Sequence, residues 1–165
     1  MHYFEHYKTG DRITTRGRTI TEADIVNFAG FTGDWYPLHT DVEYAKKSPF
    51  GERIAHGYLI LSVQSGLFPL YDMAIEAFYG IDKVRFINPC RIGDTLHLEI
   101  EVTDKKDKNE KAGVVVFSTI VKNQRDEDVV ILIQKTLVKK KPKDLKNNRL
   151  QDNTIQRSSS NDKTI

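Results

Sequence analysis

The sequence predicts an α+β domain in which an antiparallel sheet wraps around one central apolar helix. Three observations carry that expectation. Residues 57–68 are apolar almost all round, broken only by Ser62, Gln64, Ser65 and Gly66, with Gly57 at one end and Pro69 just past the other. A helix of that kind belongs in a core. Four strand-like segments follow, 83–87, 95–102, 113–121 and 129–138, and the second alternates strictly. Leu96, Leu98, Ile100 and Val102 point one way, His97, Glu99 and Glu101 the other. Finally, 165 residues leave room for one domain.

Each element has a local cause. Residues 2–9 are aromatic-rich, with Tyr3 and Phe4 as anchors, and read as a short strand or extended arm. Thr9-Gly10-Asp11 is a turn, and residues 12–20 alternate loosely enough for one edge strand. Thr21 and Asp24 form a capping box, flanked by Ile20 and Ile25 at the positions of a hydrophobic staple. The helix they start runs through Val26, Phe28 and Ala29 and stops at 30–33, where glycines permit termination. Pro37 pushes Tyr36 toward an extended conformation, so the link from Asp34 to His39 is expected to be non-helical. Residues 41–45 fit a helical turn and 46–53, with Pro49 and Gly51, a loop.

Beyond the central helix, 71–80 read as partly helical up to Gly80, Asn88-Pro89 as a turn and 104–111 as a hairpin connection. The last two strands bracket a polar loop at 122–128. Their long apolar runs call for burial against a helix or a second subunit. A curled sheet leaves edges, and pairing two copies covers them, so a homodimer or higher homo-oligomer is expected.

Composition bounds the chemistry. A single cysteine, Cys90, precludes an intrachain disulfide and fits a reducing, cytoplasmic setting. The N-terminus has no apolar leader-like run, and nothing approaches the ~20 apolar residues of a membrane span, so a soluble protein with no membrane partner is expected. The net charge of +2 conceals an asymmetry: from residue 139 onward there are eight Lys/Arg against three Asp/Glu, and before it 17 against 20. The domain is therefore read as 1–138, mildly acidic, and 139–165 as a basic disordered tail, solubilising rather than nucleic-acid binding. Cys90 has no identifiable activating partner and is not read as a nucleophile. His39, Asp41 and His56 lack a third nitrogen or sulfur ligand at a recognised spacing, so no metal is expected, and no P-loop or GxGxxG calls for a cofactor.

The stretch that concentrates chemistry is 33–66. Asp34 and His39 lie five positions apart in a segment bounded by Gly and Pro and flanked by aromatics. An acid–base pair is one reading; a turn Asp capping local backbone beside a surface His is the other. Gly57 opens the apolar helix, where free N–H groups and partial positive charge suit an oxygen gaining negative charge, although a glycine that merely eases the turn fits too. His56 reads as structural at the helix entry.

These residues also carry a resemblance. Thr21-x-x-Asp24…Phe28, Gly33-Asp34-x-x-Pro37-Leu38-His39-x-Asp41-x-x-Tyr44-Ala45, Ile54-Ala55-His56-Gly57, Ser65-Gly66 and Phe86-x-x-Pro89-x-x-x-Gly93-Asp94-Thr95-Leu96 together resemble the MaoC-like dehydratases, and among them the (R)-specific enoyl-CoA hydratases. The match runs in order over about residues 8–138. It implies a hot-dog fold, a dimer, no cofactor, and reversible addition of water to a trans-2-enoyl-CoA giving an (R)-3-hydroxyacyl-CoA. It assigns Asp34 and His39 to the catalytic water, the backbone of Gly57 to the thioester oxygen, and Ser65 to the water's surroundings. Tyr36 departs from the pattern, which usually has Asn there, and puts pair orientation and acyl preference in question. By apolarity and position, Tyr44, Leu59, Val63 and Phe78 are candidates for the acyl pocket. Lys46, Lys47, Arg53, Lys83 and Arg85 are candidates for the CoA phosphates. A hot-dog thioesterase and a non-catalytic thioester-binding module disabled by Tyr36 stay open as alternatives.

Overall fold

A computed structural model describes residues 1–142. Helix α1 (Glu22–Thr32) starts as its sequence requires: Thr21 Oγ1 accepts from the Asp24 amide and Asp24 Oδ2 accepts from the Thr21 amide at 2.8 Å. Ile20 and Ile25 are fully buried on either side of this box. The helix ends at Gly33, whose φ of +78° is the left-handed conformation that glycine adopts without strain. Two short helices follow, α2 (Pro37–Thr40) and α3 (Val42–Lys46), the second capped by the Asp41 carboxylate. Helix α4 (Gly57–Leu67) is the central one.

The strands are β1 (Arg12–Thr14), β2 (Arg18–Thr19), β3 (Ile75–Phe86), β4 (Thr95–Asp107), β5 (Ala112–Lys122) and β6 (Asp128–Lys139). Their order is β1-β4-β5-β6-β3, with β2 also on β4, and every pairing is antiparallel. The inward set of β4, Leu96, Leu98, Ile100 and Val102, is buried as its alternation demands. It meets Leu59, Ile60, Val63 and Leu67 of α4 in one core with Phe117, Val121, Val130 and Leu132. The α+β architecture is thus the expected one.

Inside that core one polar pair crosses from helix to sheet, Gln64 Nε2 donating to Gln134 Oε1 at 3.0 Å. Both side chains are buried. Removing one strands the other, so Gln64→Leu is expected to lower stability in urea unfolding by about 1–3 kcal/mol. The double change with Gln134→Leu should recover most of that loss.

Several expectations are corrected. The arm at 2–9 is not a strand: Phe4–His6 form a 3-10 turn closed by His6 Nδ1 accepting from the Tyr3 amide at 3.1 Å. The single edge strand expected at 12–20 is two short ones, β1 and β2. The segment 71–80 is not helical beyond a turn at Leu70–Asp72, because β3 runs unbroken from Ile75 to Phe86. Its register slips three times against β6, and Lys83 sits at φ +53°, so the two-residue period is scrambled in sequence. The link from Asp34 to His39 is only half non-helical. Tyr36 is extended, as a residue before proline should be, but Pro37 occupies the first turn of α2, where its fixed φ is preorganised. Helix α4 is buried along one face only; Tyr58 is 77% exposed and Ser62 and Ser65 also point outward. The tail expected from 139 onward lies, beyond its first four residues, outside the described residues.

Candidate active site

Local structure brings the expected pair together. Gly33 turns the chain sharply out of α1, and Asp34 follows in an Asx turn, Oδ1 accepting from the Tyr36 amide at 3.3 Å. Helix α2 then carries His39 back toward α4, where His39 Nδ1 lies 2.7 Å from the Ile54 carbonyl. A carbonyl only accepts, so Nδ1 bears the proton and neutral His39 keeps a free lone pair on Nε2. A carboxylate oxygen of Asp34 and one ring nitrogen each of His39 and His56 lie within 4.8 Å of one another. A gap of that size suits one water, with a hydrogen bond of about 2.8 Å on each side.

His39 lines a cavity of about 320 Å³ together with Gly57, Ile60, Phe86, Cys90 and Val129. Gly57 heads α4, and His56 provides no side-chain cap for that helix end. The amides there are left for other acceptors. A Cβ at Gly57 would come within 2.9 Å of two Phe86 ring atoms, so the missing side chain is what lets Phe86 close over the helix end. Burial pushes the His39 imidazole below its ordinary value. The Ile54 bond and Asp34 oppose that shift, while His56 adds to it. His39 is neutral at pH 7.

Residues 6–124 match the family described as "MaoC like domain". The chain belongs to the MaoC-like domain family. A protein named Protein MaoC from Klebsiella aerogenes is 42% identical over 113 residues, covering 67% of this chain and 33% of that protein. The chain therefore spans about a third of the Klebsiella protein. An (R)-specific enoyl-CoA hydratase from Rhodospirillum rubrum is 37% identical over 103 residues, covering 62% of this chain and 71% of the enzyme. Among solved structures, a monoamine oxidase regulatory protein from Archaeoglobus superposes with a TM-score of 0.80 at 44% identity, covering 85% of this chain and 95% of that one. A Mycobacterium tuberculosis protein described as having a double hotdog fold superposes with a TM-score of 0.76 at 19% identity, over 86% of this chain and 45% of that one. The sheet wrapped on α4 is a hot-dog fold, and the family is one of hydratases and dehydratases.

The remaining candidates of this MaoC-like domain divide. The Tyr36 ring meets His39 edge-on, centroids 6.2 Å apart, and its hydroxyl lies 3.0 Å from that of Tyr44. Both tyrosines line a second cavity of about 640 Å³ with Lys47, whose wall at Phe50 is shared with the first. The departure at Tyr36 therefore leaves Asp34 and His39 together. Leu59 and Val63 are both buried on the face of α4 turned to the sheet, and neither lines the His39 cavity. Ser65 falls on the opposite face and lines a separate depression with Ser62, Gly66 and Tyr71. Phe78 is 59% exposed on β3; Phe86, eight residues on, faces the cavity instead.

Among the basic candidates, Arg53 is held bidentately by Glu22 at 2.6 and 2.8 Å, and Lys46 pairs with Glu43 at 2.7 Å. Lys47 is the one of the five on a cavity wall next to the site. Cys90 lies in the cavity but burial pushes its thiol up to about 12, which suits no nucleophile. Phe86 belongs to the family pattern but carries no role legible in sequence, and Phe50 and the Ile54 carbonyl give no signal there: Phe50 sits in a loop, and a backbone acceptor leaves no side-chain trace. For a metal, the His39 and His56 rings stack with centroids 3.9 Å apart, tilted by 32°. Their in-plane lone pairs are poorly disposed to meet at one ion.

Proposed function

We propose that this protein adds water reversibly to a trans-2-enoyl-CoA to give an (R)-3-hydroxyacyl-CoA. The observation that carries the reading is the approach of Asp34 to His39, which itself lines a cavity whose wall includes the head of α4 at Gly57. The Asp34 carboxylate and His39 Nε2 grip one water. As its oxygen bonds to C3, one of the pair takes the water's proton, and a proton passes from the pair to C2. Between those events negative charge gathers on the thioester oxygen, where the Gly57 amide receives it. The likeness to an (R)-specific hydratase supports both the reaction and its stereochemistry.

The apolar cavity fits the acyl chain, and the second, with Lys47, fits the polar CoA arm. A second copy completes the assembly. The outer edge of β3 has no strand beside it among the described residues, and Phe78, Tyr79 and Phe86 on β3 are exposed. Edge pairing of β3 across a two-fold axis would cover it in a homodimer. No helix among the described residues is long and apolar enough to cross a membrane, and Cys90 is free and buried, which supports a reducing, cytoplasmic setting.

Incubation with crotonyl-CoA tests the reaction. Loss of enoyl-thioester absorbance without release of free thiol is expected. Release of thiol would favour the thioesterase reading, and binding without turnover the non-catalytic module. The pH profile supplies a further check. Because the folded His39 pKa lies below 6.5, kcat/KM should hold through neutrality and fall on the acid side with an inflection under 6.5. Stability linked to His39 has the same sign: fully present above the unfolded value of 6.5 and lost as pH falls through the depressed folded value.

A further inference from the structure

His56 touches both members of the pair and is part of neither. It precedes α4, is 2% exposed, and lies between Phe28 at 5.1 Å and His39 at 3.9 Å, centroid to centroid. Its Nε2 is 3.0 Å from the backbone carbonyl oxygen of Asp34, twenty-two residues away in sequence. That oxygen only accepts, so Nε2 carries a proton and donates it. Nδ1 is buried and has no hydrogen-bond partner among the described residues. A buried polar atom kept without a partner is uncommon and calls for a reason.

Asp34 supplies one. It is exposed, just past the left-handed Gly33, and its other hydrogen bonds are local: its amide to Thr32 Oγ1 and its carboxylate from the Tyr36 amide. Those bonds shape the turn without fixing where it sits relative to α4. His56 Nε2–H is the hydrogen bond that ties the turn to the helix. The same ring forms a wall against one face of His39, whose edge is held by Ile54. The Ile54 bond holds one edge and Tyr36 meets the ring edge-on at 6.2 Å; His56 is the ring that lies against its face.

We propose that His56 is the positioning residue of the site, one imidazole that sets Asp34 through its carbonyl and His39 through its ring face. The inference rests on the hydratase reading for its kinetic effect, but not for its geometric one. Removing His56 loosens two groups that must share one water, and displacements of about 1 Å in such arrangements cost up to about a hundredfold in rate.

His56→Phe retains a ring against His39 and Phe28, deletes the donor to Asp34 and abolishes the orphaned Nδ1. His56→Gln retains an amide donor in place of Nε2 and deletes the ring. For crotonyl-CoA, H56F is expected to lower kcat about ten- to hundredfold, with KM within about threefold and Tm unchanged or raised. In a His39→Ala background it should change the residual rate less than about threefold, because the pair it positions is already broken. A wild-type kcat in folded H56F, or the same loss in both backgrounds, overturns the proposal. Ring 15N NMR of His39 gives a second readout that needs no turnover. The wild type should show one Nδ1–H tautomer and H56Q a mixture; an unchanged H56Q spectrum overturns the proposal even if H56F fails to fold. If the wild type leaves crotonyl-CoA untouched, the hydratase reading falls and that spectrum alone decides the role of His56.

Discussion

Asp34→Asn and His39→Ala are each expected to lower kcat for crotonyl-CoA hydration by more than about a hundredfold, roughly 2.7 kcal/mol of barrier, in steady-state assays of the folded variants. The asparagine change is the cleaner of the two. Asn at 34 still offers Oδ1 to the Tyr36 amide, and the backbone carbonyl bonded to His56 is untouched, so charge and basicity are all that go. The alanine change also strips the Ile54 carbonyl of its donor and the His56 ring of its neighbour, so its Tm must be read alongside its rate. Both variants turning over at near-normal rates would remove the pair from the mechanism.

Gly57→Pro isolates the second half of the chemistry. Proline is well tolerated at the first position of a helix, and His56 already has the extended φ of −60° and ψ of 138° that proline asks of its predecessor. The substitution deletes the N–H proposed to face the thioester oxygen. Gly57→Ala is its partner, adding the same Cβ against Phe86 while keeping the N–H. The rate difference between the two variants should be about 10²–10³ in kcat, or about 2.7–4 kcal/mol, the usual loss for one oxyanion donor. Equal rates would show that crowding by Phe86, not the amide, is what the position controls.

The parts of this fold legible in sequence are those with local causes. Thr21 with Asp24, Gly33, and the strict alternation of β4 each specify their element over a handful of residues. Only the end of strand β3, within 83–87, is legible in sequence; its first part is not, because its bulges break the period on which such reading depends and its glycine at 80 imitates a helix stop. Helix α4 reads as apolar almost all round, and its sequence does not say which face meets the sheet: Leu59 and Val63 fall on the buried face, Ser65 on the outward one.

The candidate site divides in the same way. Asp34, His39 and Gly57 stand out by residue type and by their Gly and Pro neighbours. Phe86 joins them from 29 residues beyond Gly57, and His56 acts through a contact to Asp34 that spans 22 residues. Such contacts depend on how elements dock, which no local spacing records. Tyr36 illustrates the converse: an alarming residue in sequence, it packs edge-on against His39 with its hydroxyl on Tyr44, and Asp34 and His39 still approach each other.

The decisive measurement is the fate of crotonyl-CoA in 18O-labelled water. If an acid and an imidazole hold the attacking water for conjugate addition, the label appears at C3 of an (R)-3-hydroxybutyryl thioester that remains intact. Label in a released carboxylate, an (S) product, or unlabelled starting material recovered unchanged would contradict that account.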